Sequence, residues 1–261
     1  EEIVGKAATR FPEEPRIALL HANQLRKGGR NDEARSLLDG LRASSIVSQE
    51  LRGTLAYEYD LSGDPLTAAA VMAQGPQDNR SYGLRASLLA KAEDEKSLAL
   101  LYDELRRDTS KPDPERRLLL GQMAQFLKRP QEALNWYASV PGGSQRTEAR
   151  LRAANVLFEL GRKDEAFARV RELQGDASAD DDARRGAYLL EAELKQKNED
   201  DAGELEVLAR GLSAYPDDIN LLYARGLAWE RRDQIDRAEA DLRKILVTDP
   251  ENVGALNALG Y

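Results

Sequence analysis

The chain has 261 residues, is 41% hydrophobic and 32% charged, and carries a formal net charge of −8 with no cysteine. Disulfide and thiol chemistry are thereby excluded, and an acidic chain without a clustered basic face does not suit a nucleic-acid backbone. No apolar run approaches the roughly 18 residues of a membrane span.

In chain order, residues 1–14 read as half of a two-helix unit, a single helix running to Pro12. A unit then recurs at a spacing of about 34 residues, with starts at Pro15, Gln49, Asn79, Pro114, Thr147, Arg185 and Ile219. Residues 253–261 begin one more unit and stop, so the full protein is expected to continue in both directions. Each unit reads as a helix A, a turn and a helix B. The clearest copy, 219–252, contains Gly226, Trp229, Ala238, Leu242 and Pro250. Its eighth position is small in every copy: Ala22, Ala56, Ala86, Gly121, Ala154, Ala192 and Gly226. The twentieth is Ala34, Ala68, Ala133, Ala166 or Ala238, with Leu98 and Glu204 as departures. The twenty-fourth is large: Leu38, Met72, Tyr102, Tyr137, Val170, Leu208 and Leu242. Small residues at two such places let paired helices approach closely, and larger ones fill the space around the contact.

Proline supports this register, because a proline inside a helix costs about 3 kcal/mol. Pro15 and Pro114 open A helices, Pro65 and Pro130 sit in the A-to-B turn or the first turn of B, and Pro76 and Pro141 follow B helices beside glycine. Pro12, Pro112, Pro216 and Pro250 fall between units. The segments Gly28-Gly29, Ser62-Gly63-Asp64 and Gly161-Arg162-Lys163-Asp164 combine a glycine stop with an acidic helix start.

Catalytic signatures are missing. There is no glycine-rich phosphate loop and no His-Glu-x-x-His, and the one histidine, His21, falls at a helix-packing position. Asp176, Asp180, Asp181 and Asp182 lack the alternating ligands of a calcium loop and read as a solvated connection. Asn198-Glu199-Asp200-Asp201 reads as a turn with an acidic helix start. We therefore expect no catalytic residue, no metal and no cofactor, and a chain that is not an enzyme.

The spacing of Gly226, Trp229, Ala238, Leu242 and Pro250 resembles the tetratricopeptide-repeat (TPR) family. That resemblance implies an all-α fold, a right-handed superhelical solenoid of antiparallel helix pairs, with 1–261 as a single array. In the family the A helices line a concave face, with positions 2, 5, 9, 12 and 13 pointing inward. The implied partner-binding candidates are Asn23, Tyr57, Leu118, Gln122, Phe126, Leu151, Asn155, Phe158, Leu189 and Tyr223. Phe126 and Phe158 read either as anchors for a partner segment or as packing on a neighbouring A helix. Asn23, Gln122 and Asn155 read either as donors to an extended peptide or as solvated amides. The clamp that some TPR proteins use for chaperone tails is mostly missing, since Leu19, Thr54 and Leu84 stand where it needs polar or basic residues.

Two end segments, Phe11 to Arg16 and Asp249 to Tyr261, are similar to long TPR lipoproteins of Gram-negative outer membranes. The family they most resemble comprises adaptors that bind and activate a periplasmic carboxyl-terminal processing protease. The resemblance implies protein or extended-peptide partners: a periplasmic serine protease and the peptidoglycan hydrolases delivered to it. It also implies a periplasmic location, with a lipid anchor upstream of this segment. The alternatives are a periplasmic TPR scaffold of an exopolysaccharide secretion complex and a helical enzyme domain.

Overall fold

The computed structural model describes residues 2–11, 14–44, 48–107 and 113–260; Pro12, Pro112 and Tyr261 lie outside them. Among the described residues the chain forms sixteen helices and no strand. They are α1 (Glu2–Arg10), α2 (Pro15–Lys27), α3 (Asn31–Ala43), α4 (Gln49–Leu61), α5 (Pro65–Met72), α6 (Asn79–Lys91), α7 (Glu95–Arg106) and α8 (Pro114–Phe126). There follow α9 (Pro130–Ala138), α10 (Ser144–Glu159), α11 (Lys163–Gln174), α12 (Asp181–Lys197), α13 (Asp201–Ala214), α14 (Ile219–Glu230), α15 (Ile235–Thr248) and α16 (Val253–Leu259).

Most starts are set by capping. Asp64, Asp78, Asp94, Asp113, Asp200 and Asp218 each accept the backbone N–H three residues on, which satisfies one of the donors a helix start leaves open. Two boundaries differ from the sequence reading, one set by a cap and one by a glycine turn. Helix α12 starts at Asp181 rather than Arg185, because Asp180 accepts from the Ala183 N–H at 2.7 Å. Helix α10 starts at Ser144 rather than Thr147, directly after Gly143 at φ 77°.

The A-to-B turns share one device. Gly29, Gly63, Glu93, Lys128, Gly161, Glu199 and Asp233 are left-handed, and all seven stand at the fifteenth register position. After each, the next N–H reaches back five residues, as from Arg30 to Leu25 O (2.8 Å), Asp94 to Leu89 O (3.0 Å) and Gln234 to Trp229 O (3.0 Å). This ending satisfies carbonyls the helix would leave open and reverses the chain at a fixed place.

The chain divides into two compact units after Arg129. Within the first, α2 packs on α3 and α4, α4 on α5, α5 on α6, and α6 on α7 and α8. Within the second, α10 packs on α9, α11 and α12, α12 on α11, α13 and α14, and α14 on α13 and α15. Several consecutive A helices touch directly, as α2 does α4, α6 does α8, and α12 does both α10 and α14.

The eighth-position residues, from Ala22 to Gly226, are all buried. A Cβ on Gly226 would meet Leu242 Cγ at 3.4 Å and the Ala238 carbonyl at 3.7 Å, which ties the eighth, twentieth and twenty-fourth positions to one contact. Glu204 replaces alanine at the twentieth position and is buried as well; its carboxylate is held by Arg231 and Arg232.

Candidate protein-interaction surface

In the first unit the A helices carry large apolar side chains into solvent. Tyr57 on α4 is 59% exposed, Leu61 at its end 41%, Leu84 on α6 40%, and Phe126 at the end of α8 58%. Between α4, the end of α5 and α6 runs a groove of about 490 Å³, lined by Gly53, Ala56, Tyr57, Met72, Leu84 and Leu88 with charged residues at its margin.

The fifth register position contributes Gly53 to this groove. It reads Leu19, Gly53, Gly83, Leu118, Leu151, Leu189 and Tyr223. Leu19 and Leu118 are buried, and Leu151, Leu189 and Tyr223 are half-buried against the second unit's core clusters. At Gly53 and Gly83 a Cβ would meet nothing within 4 Å. Two consecutive repeats thus lack the side chain that the others use for packing. Glycine inside a helix costs about 1 kcal/mol relative to alanine, and no contact among the described residues requires it at either place.

The charged margin is mostly paired. Arg16 meets Glu50 at 3.4 Å and Lys91 meets Asp60 at 2.6 Å. Arg52 donates to the Gln74 carbonyl, and Asp78 accepts from both the N–H and the hydroxyl of Ser81. These bonds, the backbone one first, hold the Asp78 carboxyl below its ordinary value. Arg80 lines the same groove, and its charge adds to the lowering of the Asp78 carboxyl.

The remaining sequence candidates lie as follows. Asn23 is half-buried and donates its amide to Glu58 at 2.7 Å, where Arg26 also reaches the carboxylate at 3.3 Å. It is therefore a bridge between α2 and α4 rather than a solvated amide. Gln122 and Asn155 are half-buried. Leu118 is a packing residue, not an accessible contact. Phe158 packs edge-on against Phe167, with ring centroids 6.1 Å apart, and Lys163 sits 5.5 Å from its ring. Leu189 and Tyr223 lie against the cluster built on Leu208, Leu221 and Leu222. His21 is half-buried on α2.

The second unit instead holds buried acids that the sequence reading did not single out. Glu191 on α12 is 0% exposed; Arg171 and Gln174 of α11 donate to it at 2.6 and 2.7 Å, and Arg210 of α13 at 2.8 Å. Asp241 on α15 takes a two-pronged contact from Arg225 of α14 at 2.6 and 2.8 Å, which raises the arginine above its ordinary value. The acidic loop is likewise occupied: Asp176 binds Ser178 and Arg150, whose bonds, the Ser178 hydroxyl first, depress its carboxyl, while Asp181 and Asp182 pair with Arg184 and Arg185. Among the described residues no group of three or more His, Cys, Asp or Glu side chains could hold a metal ion, and no helix is long and apolar enough to cross a membrane.

The all-helical repeats are similar to those of tetratricopeptide-repeat proteins. Over 142 residues the chain is 37% identical to the TPR repeat-containing protein PA4667 of Pseudomonas aeruginosa, a match covering 54% of this chain and 24% of that protein. The chain thus spans about a quarter of the length of the curated relative it matches. No family model matches. Among solved structures it is similar to a tetratricopeptide repeat protein from Parabacteroides merdae (TM-score 0.47, 15% identity, covering 81% of this chain and 93% of that one). It is also similar to PilW, a type IV pilus biogenesis factor (TM-score 0.48, 14% identity, covering 82% of this chain and 100% of that one).

Proposed function

We propose that this chain is the protein-binding part of a non-catalytic adaptor that holds a periplasmic carboxyl-terminal processing protease and brings peptidoglycan hydrolases to it. The observation that carries the scaffold reading is the exposed apolar side chains on consecutive A helices of the first unit, where Tyr57, Leu61, Leu84 and Phe126 face water. Large apolar side chains grouped on a surface mark a binding site. The protease-adaptor reading draws on the end segments, Phe11 to Arg16 and Asp249 to Tyr261, and on the stretch of repeats shared with a bacterial TPR protein.

The mechanism is proximity. A scaffold that binds protease and substrate together converts their encounter into an intramolecular one and raises the effective concentration without new chemistry. Micromolar affinity for either partner corresponds to about −8 kcal/mol, within reach of a few buried apolar anchors. The test is calorimetric titration of the chain with a purified carboxyl-terminal processing protease and, separately, with a peptidoglycan hydrolase, followed by hydrolase cleavage with and without the full-length protein. Binding of at least one partner and faster cleavage are expected. Binding of neither overturns the adaptor reading.

A further inference from the structure

Two consecutive repeats of the second unit fill one place with charge. Glu191, seventh in its repeat, lies fully buried on α12 and gathers donors from both neighbouring B helices: Arg171 and Gln174 of α11, and Arg210 of α13. In the next repeat the seventh residue is Arg225, bound by the carboxylate of Asp241 at the twenty-third. The repeat before these two has Arg169 at the twenty-third position and Ala153 at the seventh, so no acid stands opposite the arginine in register. Arg169 instead turns to Glu172 at 3.5 Å, where both side chains are exposed.

In place of a buried ion pair this repeat has an open groove. It runs along α10 between α9 and α11, has a volume of about 440 Å³, and includes Leu134, Val140, Ala153 and Leu157 in its lining. Arg146, Arg150, Arg162 and Arg169 line it against Glu165, Glu172 and Asp176, an excess of one positive charge. Arg162 spends two bonds of 2.7 Å on Glu165, and Arg150 holds Asp176 at 2.6 Å with Glu172 3.7 Å from its other terminal nitrogen. Arg146, one turn before Arg150 on the same face of α10, donates to the Pro141 carbonyl at 3.3 Å. A guanidinium has five N–H donors, so Arg146, Arg150 and Arg169 carry more donors than these acceptors take up.

We propose that this groove is a binding site for a small carboxylic acid with an apolar body, of the class of a medium-chain fatty acid. Its carboxylate sits among Arg146, Arg150 and Arg169, taking the place that Glu191 takes one repeat later, and its hydrocarbon lies on Leu134, Val140 and Leu157. One carboxylate matches the single excess positive charge, and arginine meets it with paired N–H donors. The volume falls within the range of small-molecule sites, about 300–1,000 Å³. This goes beyond the adaptor reading and does not depend on it.

The test titrates the whole chain calorimetrically with octanoate, octanol and octylammonium, which share a hydrocarbon and differ in charge. Octanoate is expected to bind about tenfold more tightly than octanol, the factor that one charge-assisted hydrogen bond supplies, and octylammonium more weakly than either. Ala153→Glu gives the groove a carboxylate of its own, in register with Glu191. It should raise the melting temperature and abolish octanoate binding. Arg146→Gln with Arg169→Gln changes two side chains at the rim and should lower octanoate affinity to that of octanol while leaving the melting temperature nearly unchanged. Octanoate binding no tighter than octanol overturns the proposal, as does undiminished octanoate binding by either variant. If Ala153→Glu fails to fold, the double glutamine variant decides alone. Binding of the protease or hydrolase by the same chain bears on the adaptor reading and leaves this one untouched.

Discussion

In the first unit Phe126 ends its A helix 58% exposed, whereas in the second Phe158 lies half-buried against Phe167. The two phenylalanines stand one register position apart, thirteenth and twelfth in their repeats. One residue along an α-helix is about 100° of rotation, enough to turn a ring from the surface onto the neighbouring B helix. The same division runs through the polar groups. Among the described residues the second unit buries three acids, Glu191, Glu204 and Asp241, under arginines from other helices, and the first buries one, Glu58, held by Asn23 and Arg26. The units thus share a repeat yet differ in degree: three buried acids bind arginines in the second, while the exposed Tyr57, Leu84 and Phe126 of the first lie on A helices and the exposed Ile235 and Val247 of the second lie on the B helix α15.

The hardest test of that contrast is the Glu191 network. Arg171→Met with Arg210→Met leaves a fully buried carboxylate with Gln174 as its remaining donor among those described. An unpaired buried charge is costly, so urea denaturation should show a loss of about 3 kcal/mol. Adding Glu191→Leu to the same variant should restore most of the loss, since an apolar replacement of the whole network is near neutral. Failure of the third substitution to restore stability would mean that the network acts through backbone geometry rather than charge.

Next in size is the pair of phenylalanines. Phe158→Ala should cost about 2 kcal/mol, below the roughly 3–5 kcal/mol of a fully buried phenylalanine because the ring is half-buried. Phe126→Ala should change stability by less than about 0.5 kcal/mol and instead weaken binding of the adaptor's partner. A destabilised Phe126→Ala chain with unchanged partner affinity would erase the distinction between the units.

Much of this architecture could be read from the sequence, because it is written in residue types with few alternatives. Small residues at the eighth and twentieth positions and prolines at the seams leave little freedom in where helices pair. The interaction surface was harder to read, for two reasons. A register position fixes an angle on the helix, but burial depends on what the neighbouring helix presents: Leu118 and Gly53 share the fifth position, one buried and the other open. Polar partners far apart in the chain, such as Asn23 with Glu58 at 35 residues and Arg231 with Glu204 at 27, follow from stacking and have no local signature. The one visible hint was Glu204 at a position otherwise held by alanine or leucine.

The turns supply a smaller effect of opposite sign. Gly29, Gly63 and Gly161 take the left-handed conformation without penalty, while Glu93, Lys128, Glu199 and Asp233 adopt it at φ 55–57°. A residue with a Cβ pays about 1 kcal/mol there. Substituting glycine at each of the four should therefore stabilise, in both units alike, by up to about 1 kcal/mol in thermal or urea unfolding. A loss of stability at Glu93 or Glu199 would show that the side chain there makes up the backbone penalty.

The smallest expected effect is a pH dependence, and it too is common to both units. Backbone and hydroxyl donors of Ser81 lower the carboxyl of Asp78, the Ser97 hydroxyl and N–H lower that of Asp94, and Lys195 with the Gly203 N–H lowers that of Asp200, each from an ordinary value of 3.8. A carboxyl depressed in the folded chain contributes stability that is fully present above its unfolded value and is lost as pH falls through the folded one. Melting temperature should therefore hold steady from neutrality to about pH 5 and decline below about pH 4. Asn caps a helix as well as Asp but does not titrate. Replacing the three caps with Asn should flatten the acid limb while leaving the neutral plateau nearly unchanged. An acid limb of unaltered slope would place the proton-linked stability in other carboxylates, with the arginine-bound acids of the second unit next to be tested.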